Sequence, residues 1–226
     1  MAADTRSGTG PRDRFRAQVR QEVKTAALRQ LAEGGPEALS LNAIAKQLGM
    51  TGPALYRYFA NRDSLLTELV VDAYGDLAST LARTAEAGPA DPAARLTALV
   101  HAYRAWALAE PHRYRLLFRA PIQGYDAQAA DLVQASQPAM TVLLDAVSAL
   151  AEPEPREPGG EAAQFRQWRE RHGFEDVSEA VAARATMLWA HLHGTAALEI
   201  EGNFASMGID PSYLYDAEVA DFARSL

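Results

Sequence analysis

Apolar residues recur every three or four positions along almost the whole chain, the spacing of one face of an α-helix. The first stripe runs from Asp13 to Glu33 and stops at Gly34-Gly35-Pro36. Further helices are predicted from Ser40, Thr51 and Asn61 onward and at 92–110, 112–119, 126–151, 176–204 and 211–225, with a short helical piece holding Phe165 and Trp168 before the helix at 176–204. Because alanine is abundant and β-branched residues are sparse, the pattern predicts an all-α fold of about nine helices.

Residues 40–59 are predicted to form two short helices joined by a sharp turn. Ser40 is a suitable N-cap for the first helix, and Gly49 can take the left-handed conformation that ends it. Thr51 can cap the second helix, with Pro53 in its first turn, where a missing N–H costs little. The apolar face of the first helix consists of Leu41, Ile44, Ala45 and Leu48.

The second helix of this pair is predicted to present a surface suited to a DNA groove. Leu55 and Phe59 lie four positions apart and share a buried face, which turns the residues between them outward. Small residues near a helix start can approach base edges, an arginine can bind guanine, and tyrosine hydroxyls can reach phosphates. The expected DNA-contacting residues are Ser40, Asn42, Thr51, Gly52, Pro53, Ala54, Tyr56, Arg57, Tyr58 and Arg62. The alternative is an ordinary helical hairpin with surface aromatics.

The sequence from Ser40 to Leu65 resembles the DNA-binding domain of a known family. It follows the pattern Ser-Leu-x-x-Ile-Ala-x-x-Leu-Gly-Met-x-x-x-x-Leu-Tyr-x-Tyr-Phe-x-Asn-Arg-Asp-x-Leu. This resembles the N-terminal helix-turn-helix domain of the tetracycline-repressor (TetR) family of bacterial regulators, over about residues 17 to 70. Arg62 stands where the family usually has lysine, which keeps the charge that a phosphate contact requires.

Charge divides the chain into two parts of opposite sign. Residues 1–62 carry ten Lys or Arg and five Asp or Glu, a net charge of +5, whereas residues 63–226 carry twelve and twenty-four, a net charge of −12. A basic N-terminal part is expected if only that part meets double-stranded DNA. The chain has no cysteine, no apolar run long enough for a membrane span and no signal peptide, so we expect a soluble, cytoplasmic protein.

The expected domain organisation follows from these boundaries. Residues 1–11 are predicted to be a disordered basic arm, 12–62 the helix-turn-helix domain, and 63–226 a ligand-binding and dimerisation domain. Residues 152–160, with three prolines and two glycines, are predicted to be a mobile linker. Arg6, Arg12 and Arg14 can reach DNA from the arm, or the arm is a solvated tail. The helix from Asn61 to Ala87 belongs to both domains and is the expected lever between them.

The C-terminal part carries a second resemblance. The run Trp189-Ala190-His191-Leu192-His193-Gly194, with Leu198-Glu199 after it, resembles the Trp-His-Gly type of C-terminal domain found in one branch of these regulators. Two adjacent alanine-rich helices, with Gly194 at the middle, can pack closely against a second pair, as in a four-helix bundle of two subunits. The expected homodimer interface includes Leu188, Leu192, Gly194, Ala196, Val219 and Phe222.

Several large residues are predicted to surround one interior of the C-terminal part. They can line a cavity for an unknown small-molecule effector, or they can simply fill the core. The resemblance to a ligand-controlled family favours a cavity among Tyr74, Tyr103, Trp106, Tyr114, Phe118, Met140 and Trp189.

The sequence offers no basis for catalysis, a cofactor or a metal site. His191 and His193 point about 200° apart on a helix, so they are expected to be packing or interface residues rather than metal ligands. His101 and His112 are isolated, and the chain lacks phosphate-loop, His-Glu-x-x-His and Gly-x-Ser-x-Gly motifs.

Together these patterns predict a DNA-binding transcriptional regulator. The resemblance implies a repressor that binds a palindromic operator as a homodimer and leaves it when a small molecule binds. The alternatives are an activator that needs its ligand, or an α-helical small-molecule-binding protein or enzyme.

Overall fold

A computed structural model describes residues 10–118, 129–150 and 162–224. In those ranges the chain forms eleven α-helices and a short 3-10 turn at Pro36–Ala38, with no strand. The helices are α1 Pro11–Gly34, α2 Leu41–Gln47, α3 Gly52–Tyr56, α4 Arg62–Ala87, α5 Pro92–Ala109, α6 Pro111–Phe118, α7 Ala130–Ser148, α8 Ala162–His172, α9 Glu179–Ile200, α10 Asn203–Met207 and α11 Ser212–Arg224. The prediction of an all-α fold is confirmed.

The first three helices form one small unit around a shared apolar core. Val23 and Ala27 of α1, Ile44 of α2 and Leu55 of α3 are completely buried there, and Phe59 closes the core just after α3. Helix α3 proper is only five residues long, shorter than predicted. Phe59 nevertheless keeps the helical direction, because its N–H bonds the carbonyl of Leu55 at 3.2 Å.

Helix α4 crosses from this unit into the C-terminal domain. Its first half packs Leu65, Leu66 and Leu69 into the N-terminal core, whereas Leu77 and Leu81 of its second half lie in the C-terminal core. A helix of 26 residues spans about 39 Å, long enough to reach both. The prediction that this helix belongs to both parts of the molecule is confirmed.

The C-terminal core lies between α4, α5, α7, α9 and α11. Helix α7 continues through Pro138 from Ala130 to Ser148, so the proline does not divide the helix. The predicted helix at 176–204 is interrupted, because Gly202 takes a left-handed conformation (φ 77°) that ends α9 and begins α10. That break raises the helix number above nine in the described ranges, and α8 corresponds to the short helical piece predicted around Phe165 and Trp168.

Two predicted segments lie mostly or entirely outside the described residues. The linker at 152–160 is one of them, and most of the arm at 1–11 is the other. Gly10 and Pro11 are described, and they form the N-cap and first residue of α1 rather than the end of an arm.

The predicted dimer-interface residues require a correction. Five of the six lie in the core of a single subunit, with exposures of 0% for Leu188, 6% for Leu192, 1% for Ala196, 4% for Val219 and 8% for Phe222. They are covered by helices of their own chain, so they have no face left to offer a second copy. Only Gly194 lies on the surface.

Candidate nucleic-acid interface and effector cavity

Local capping shapes the turn between α2 and α3. The Ser40 hydroxyl accepts a hydrogen bond from the N–H of Ala43 at 3.3 Å, and the Thr51 hydroxyl accepts one from Ala54 at 3.4 Å. Gly49 joins the two helices in the left-handed region (φ 65°), where a side chain is strained. Each of these roles is the one that the residue types predict.

The residues predicted to contact DNA lie on the outer side of this unit. Leu55 and Phe59 point into the core with exposures of 0% and 1%, and the opposite surface is open to solvent. Exposed on it are Ser40, Asn42, Thr51, Pro53, Tyr56 and Arg57, while Gly52, Ala54, Tyr58 and Arg62 are half-buried. A methyl group added at Gly52 would lie 3.5 Å from the Asn42 amide oxygen, so the start of α3 adjoins α2.

A second capping motif positions Arg62. The Asn61 side chain accepts a hydrogen bond from the N–H of Ser64 at 2.8 Å, and the Ser64 hydroxyl accepts one from the N–H of Asn61 at 3.2 Å. This reciprocal pair begins α4 and makes Arg62 its first residue. The predicted phosphate-binding arginine therefore lies directly after the helix-turn-helix.

The structure also shows a set of polar contacts between α1 and α4 that was not predicted. The Arg20 guanidinium lies 4.6 Å from the centre of the Phe59 ring, donates to the carbonyl of Tyr58 at 2.6 Å and pairs with Glu68. Lys24, one turn along α1, pairs with Asp72 at 2.8 Å, one turn along α4. The sequence did contain a sign of these contacts, because two basic residues on α1 and two acidic residues on α4 have the same four-residue spacing. These contacts hold the end of α3 against α4.

The C-terminal domain contains a partly open cavity of about 220 Å³. Its walls come from α4, α5, α6, α7, α8 and α9 and from the turn after α8. Of the residues predicted to line a cavity, Tyr74, Tyr103, Phe118, Met140 and Trp189 do so. The sequence analysis did not identify Gln137, Trp168, His172 and Phe174, which also line it. The last three lie on α8 or in the turn after it, and α8 has no clear apolar periodicity.

Two of the residues predicted to line the cavity lie elsewhere. The indole N–H of Trp106 donates to an Asp76 carboxylate oxygen at 2.9 Å, and the same oxygen accepts from Arg113 at 3.0 Å. The Tyr114 hydroxyl bonds His193. Both side chains are therefore used to join helices rather than to line the cavity, which corrects the prediction for them.

An aromatic cluster adjoins the cavity where α6 meets α9. The His193 ring stacks on Trp189, with centres 5.5 Å apart and an angle of 5°, and lies 4.5 Å from the centre of the Phe118 ring. Burial lowers the pKa of His193 below its usual value. The hydroxyl of Tyr103 is buried nearby, and its pKa is raised, first by burial and then by Tyr114.

Of the remaining histidines, His101 and His191 pair with carboxylates, and His172 pairs with a backbone carbonyl. His191 Nδ1 lies 2.7 Å from Glu218, and His101 Nε2 lies 2.7 Å from Asp216. Within the described ranges, no group of three or more histidine and carboxylate side chains is arranged to hold a metal ion. No described helix is both long enough and apolar enough to span a membrane.

The N-terminal unit is a basic helix-turn-helix with capped helices, and one long helix joins it to a helical domain that contains a cavity. This arrangement defines the class of DNA-binding transcriptional regulators. Residues 25–69 match the family model described as bacterial regulatory proteins, tetR family, and residues 96–222 match the tetracyclin repressor-like C-terminal domain. The chain belongs to the TetR family of transcriptional regulators. Proteins of this family are not enzymes.

Relatives of known sequence and structure agree with this assignment. The HTH-type transcriptional regulator Rv1816 of Mycobacterium tuberculosis is 35% identical over 217 residues, which cover 92% of each chain. The crystal structure of the regulatory protein SCO4313 has a TM-score of 0.81 at 43% identity and covers 94% of this chain and 98% of its own. FadR of Bacillus subtilis, solved in complex with stearoyl-CoA, shares the fold with a TM-score of 0.62 at 13% identity, covering 91% and 98%.

Proposed function

We propose that this regulator is a repressor that binds a palindromic operator as a homodimer and leaves it when a small molecule fills the cavity. The observation that carries the proposal is that α4 takes part in both the DNA-binding unit and the cavity. Its first residue, Arg62, follows the helix-turn-helix, and three turns later the same helix lines the cavity with Tyr74, Leu77 and Leu81. A ligand that moves this wall therefore moves the base of the DNA-binding unit.

Helix α6 supplies a second connection between the cavity and the DNA-binding unit. Phe118, at its end, lines the cavity, while Leu116, two residues earlier, is buried in the N-terminal core. A ligand releases DNA only if it binds the non-binding conformation more tightly. A difference of about 3 kcal/mol between the two conformations changes operator affinity about a hundredfold.

The proposed dimer uses the outer face of α9. Met187 and Leu198 are 60% and 47% exposed, and Gly194 lies on the same face at helical spacing. Tyr213 on the neighbouring α11 is 73% exposed. A twofold axis through this face would repeat the helix-turn-helix at a distance that must match successive major grooves, roughly 34 Å apart.

A protein of this fold has been solved with a bound ligand. FadR of Bacillus subtilis was solved with stearoyl-CoA, and its helices follow the same arrangement. The cavity of about 220 Å³ described above is the feature of this chain that supports a ligand.

The direction of regulation is tested by DNA capture followed by a promoter reporter. We expect the purified protein to enrich a small number of genomic fragments and to bind them with an affinity that falls steeply as salt rises. The control is the double variant Tyr56→Ala with Arg57→Ala, which removes two outward side chains at the end of α3 and leaves Leu55 buried. A reporter driven by the enriched fragment should be silent with the protein present.

Two outcomes would contradict the proposal. Fragments bound equally by the double variant would show that α3 does not contact DNA. A reporter that requires the protein for expression would establish an activator, the second candidate function.

A further inference from the structure

The lining of the cavity contains polar groups but no charged side chain. Among the described residues that line it, none is Asp, Glu, Lys or Arg. Most are apolar or aromatic, and the polar ones are Tyr74, Tyr103, Ser136, Gln137 and His172. A charged ligand in such surroundings would lose its hydration without gaining a partner of opposite charge. The cavity is therefore suited to a neutral molecule.

Two of these polar residues offer a ligand no hydrogen-bond donor, although the Ser136 oxygen can still accept. The Ser136 hydroxyl donates to the carbonyl of Val133 in its own helix at 2.8 Å. The Tyr103 hydroxyl is completely buried beside Tyr114, so a ligand cannot reach it without displacing its neighbours.

Gln137 and His172 offer hydrogen-bond acceptors at the junction of α7 and α8. The Gln137 amide nitrogen donates to the carbonyl of His172 at 3.0 Å, which leaves the amide oxygen without a partner among the described residues. His172 Nδ1 lies 2.7 Å from the carbonyl of Trp168. Because a carbonyl can only accept, Nδ1 carries the hydrogen, and Nε2 can accept a hydrogen bond whenever the ring carries this single proton.

The cavity volume sets the size of the part of a ligand that fits inside it. A dry cavity of roughly 150 Å³ holds benzene, so at equal filling 220 Å³ corresponds to a molecule of about nine non-hydrogen atoms. Trp168 stacks on His172 at 5.2 Å and on Phe174 at 5.3 Å, which gives this end a flat aromatic wall.

We propose that the effector is a small, neutral, mostly apolar molecule with one hydroxyl group, which donates a hydrogen bond to Gln137 or His172 at the α7–α8 end of the cavity. The inference rests on the proposed function, because it names the ligand class of that same cavity. It assigns recognition to α8 and its stacked rings, which the sequence analysis had not connected with a site.

Five probes of nearly equal size test the proposal on the full-length protein. They are para-ethylphenol, which donates; para-methylanisole, which only accepts; para-ethyltoluene, which does neither; and the ions benzoate and para-methylbenzylammonium. Calorimetry measures the affinity, and tryptophan fluorescence reports occupancy because Trp168 and Trp189 line the cavity. We expect the phenol to bind about three- to tenfold more tightly than the other two neutral probes, and both ions about a hundredfold more weakly than the phenol.

Three variants assign the contact. Gln137→Leu or His172→Phe should remove most of the preference for the phenol over para-ethyltoluene, while binding of para-ethyltoluene itself shows that the cavity is intact. Gln134→Leu, the same change on the exposed side of α7, is the matched control and should keep the wild-type preference.

The outcomes separate this inference from the proposed function. Equal binding of the three neutral probes, or tighter binding of an ion, would overturn the ligand class while leaving the cavity as a binding site. Failure of every probe would overturn both the ligand class and the role of the cavity. A phenol that binds with the predicted preference but leaves the DNA complex unchanged would support the ligand class and contradict only ligand-controlled release.

Discussion

The Tyr114 hydroxyl donates a hydrogen bond to the backbone carbonyl of His193 at 2.9 Å and lies 2.7 Å from Nδ1 of the same residue. A hydroxyl has one hydrogen, so the second contact requires that Nδ1–H donates to it. One side chain of α6 is thus bound twice to α9. Because α6 also places Leu116 in the N-terminal core, this pair joins the C-terminal core to the DNA-binding unit.

Replacing Tyr114 with Phe removes both hydrogen bonds and keeps the ring. We expect the free energy of unfolding to fall by about 1 kcal/mol and the melting temperature by about 2–4 °C. Urea titration and thermal unfolding measure these changes. Tyr213→Phe, at a hydroxyl-bearing residue that is 73% exposed, is the control and should be neutral. If the two variants were equally stable, the Tyr114 contacts would contribute nothing to the fold.

Helix starts were predictable from the sequence because capping is a local interaction. Ser40, Thr51 and Asn61 each accept the backbone N–H three residues later, and the type of each residue and its position before an apolar stripe were sufficient to predict this. The left-handed break at Gly202 was missed because the apolar pattern continues to the buried Phe204, and periodicity alone gives no sign of the turn.

Long-range relationships were not predictable in the same way. Apolar spacing shows that Leu188 and Leu192 lie on one face of a helix, but not whether their own chain or another covers that face. The same limit applies to Trp106 and Tyr114. Their polar atoms find partners on α4 and α9, and only the tertiary arrangement brings those partners within reach.

Acid should destabilise the protein through His193. Burial lowers the pKa of this histidine below its usual 6.5, so below that pH the unfolded chain binds more protons than the folded one. The stabilisation that neutral His193 gives the folded state is complete above pH 6.5. It is lost as the pH falls through the lower pKa that His193 has in the folded protein. We therefore expect the free energy of unfolding, measured by urea titration above and below pH 6.5, to fall less on acidification for His193→Gln than for the wild type. Parallel pH curves for the two proteins would contradict this assignment.

We expect Arg57 to contact base edges and so to contribute to the sequence specificity of operator binding. Its side chain is exposed on the outer surface near the end of α3, and an arginine there can bind guanine through two hydrogen bonds. Arg57→Ala should weaken operator binding by about 1–3 kcal/mol and relax preference at one or two base pairs. Fluorescence anisotropy with single-base operator variants measures this. Arg83→Ala, an exposed arginine far along α4, should behave like the wild type. Unchanged sequence preference would assign Arg57 to the backbone instead.

Arg62 should behave differently, as a phosphate contact. At the first residue of α4 it adjoins the helix-turn-helix without belonging to α3. Arg62→Ala should weaken binding to operator and random DNA by similar factors and reduce the slope of log affinity against log salt by about one. Titrations at several salt concentrations give both quantities. A loss confined to the operator would show that Arg62 reads a base.

Gly194→Leu tests the assembly on which operator binding depends. A side chain at Gly194 meets no atom within 4 Å inside the subunit, and leucine favours a helix more than glycine does by roughly 0.5–1 kcal/mol. The subunit should therefore stay folded, with unchanged or higher stability, while the added side chain overpacks the proposed dimer contact at α9. We expect light scattering to show monomers, and operator affinity to fall because one helix-turn-helix binds a half-site only weakly.

Gly75→Leu makes the same change on the exposed side of α4, where a side chain also meets open space, and it should leave the dimer and operator binding intact. A Gly194→Leu variant that remains dimeric would show that the subunits meet through another surface. The exposed face formed by Met187 and Leu198 would then need a different partner, and the distance between the two recognition helices would have to be derived from that other contact.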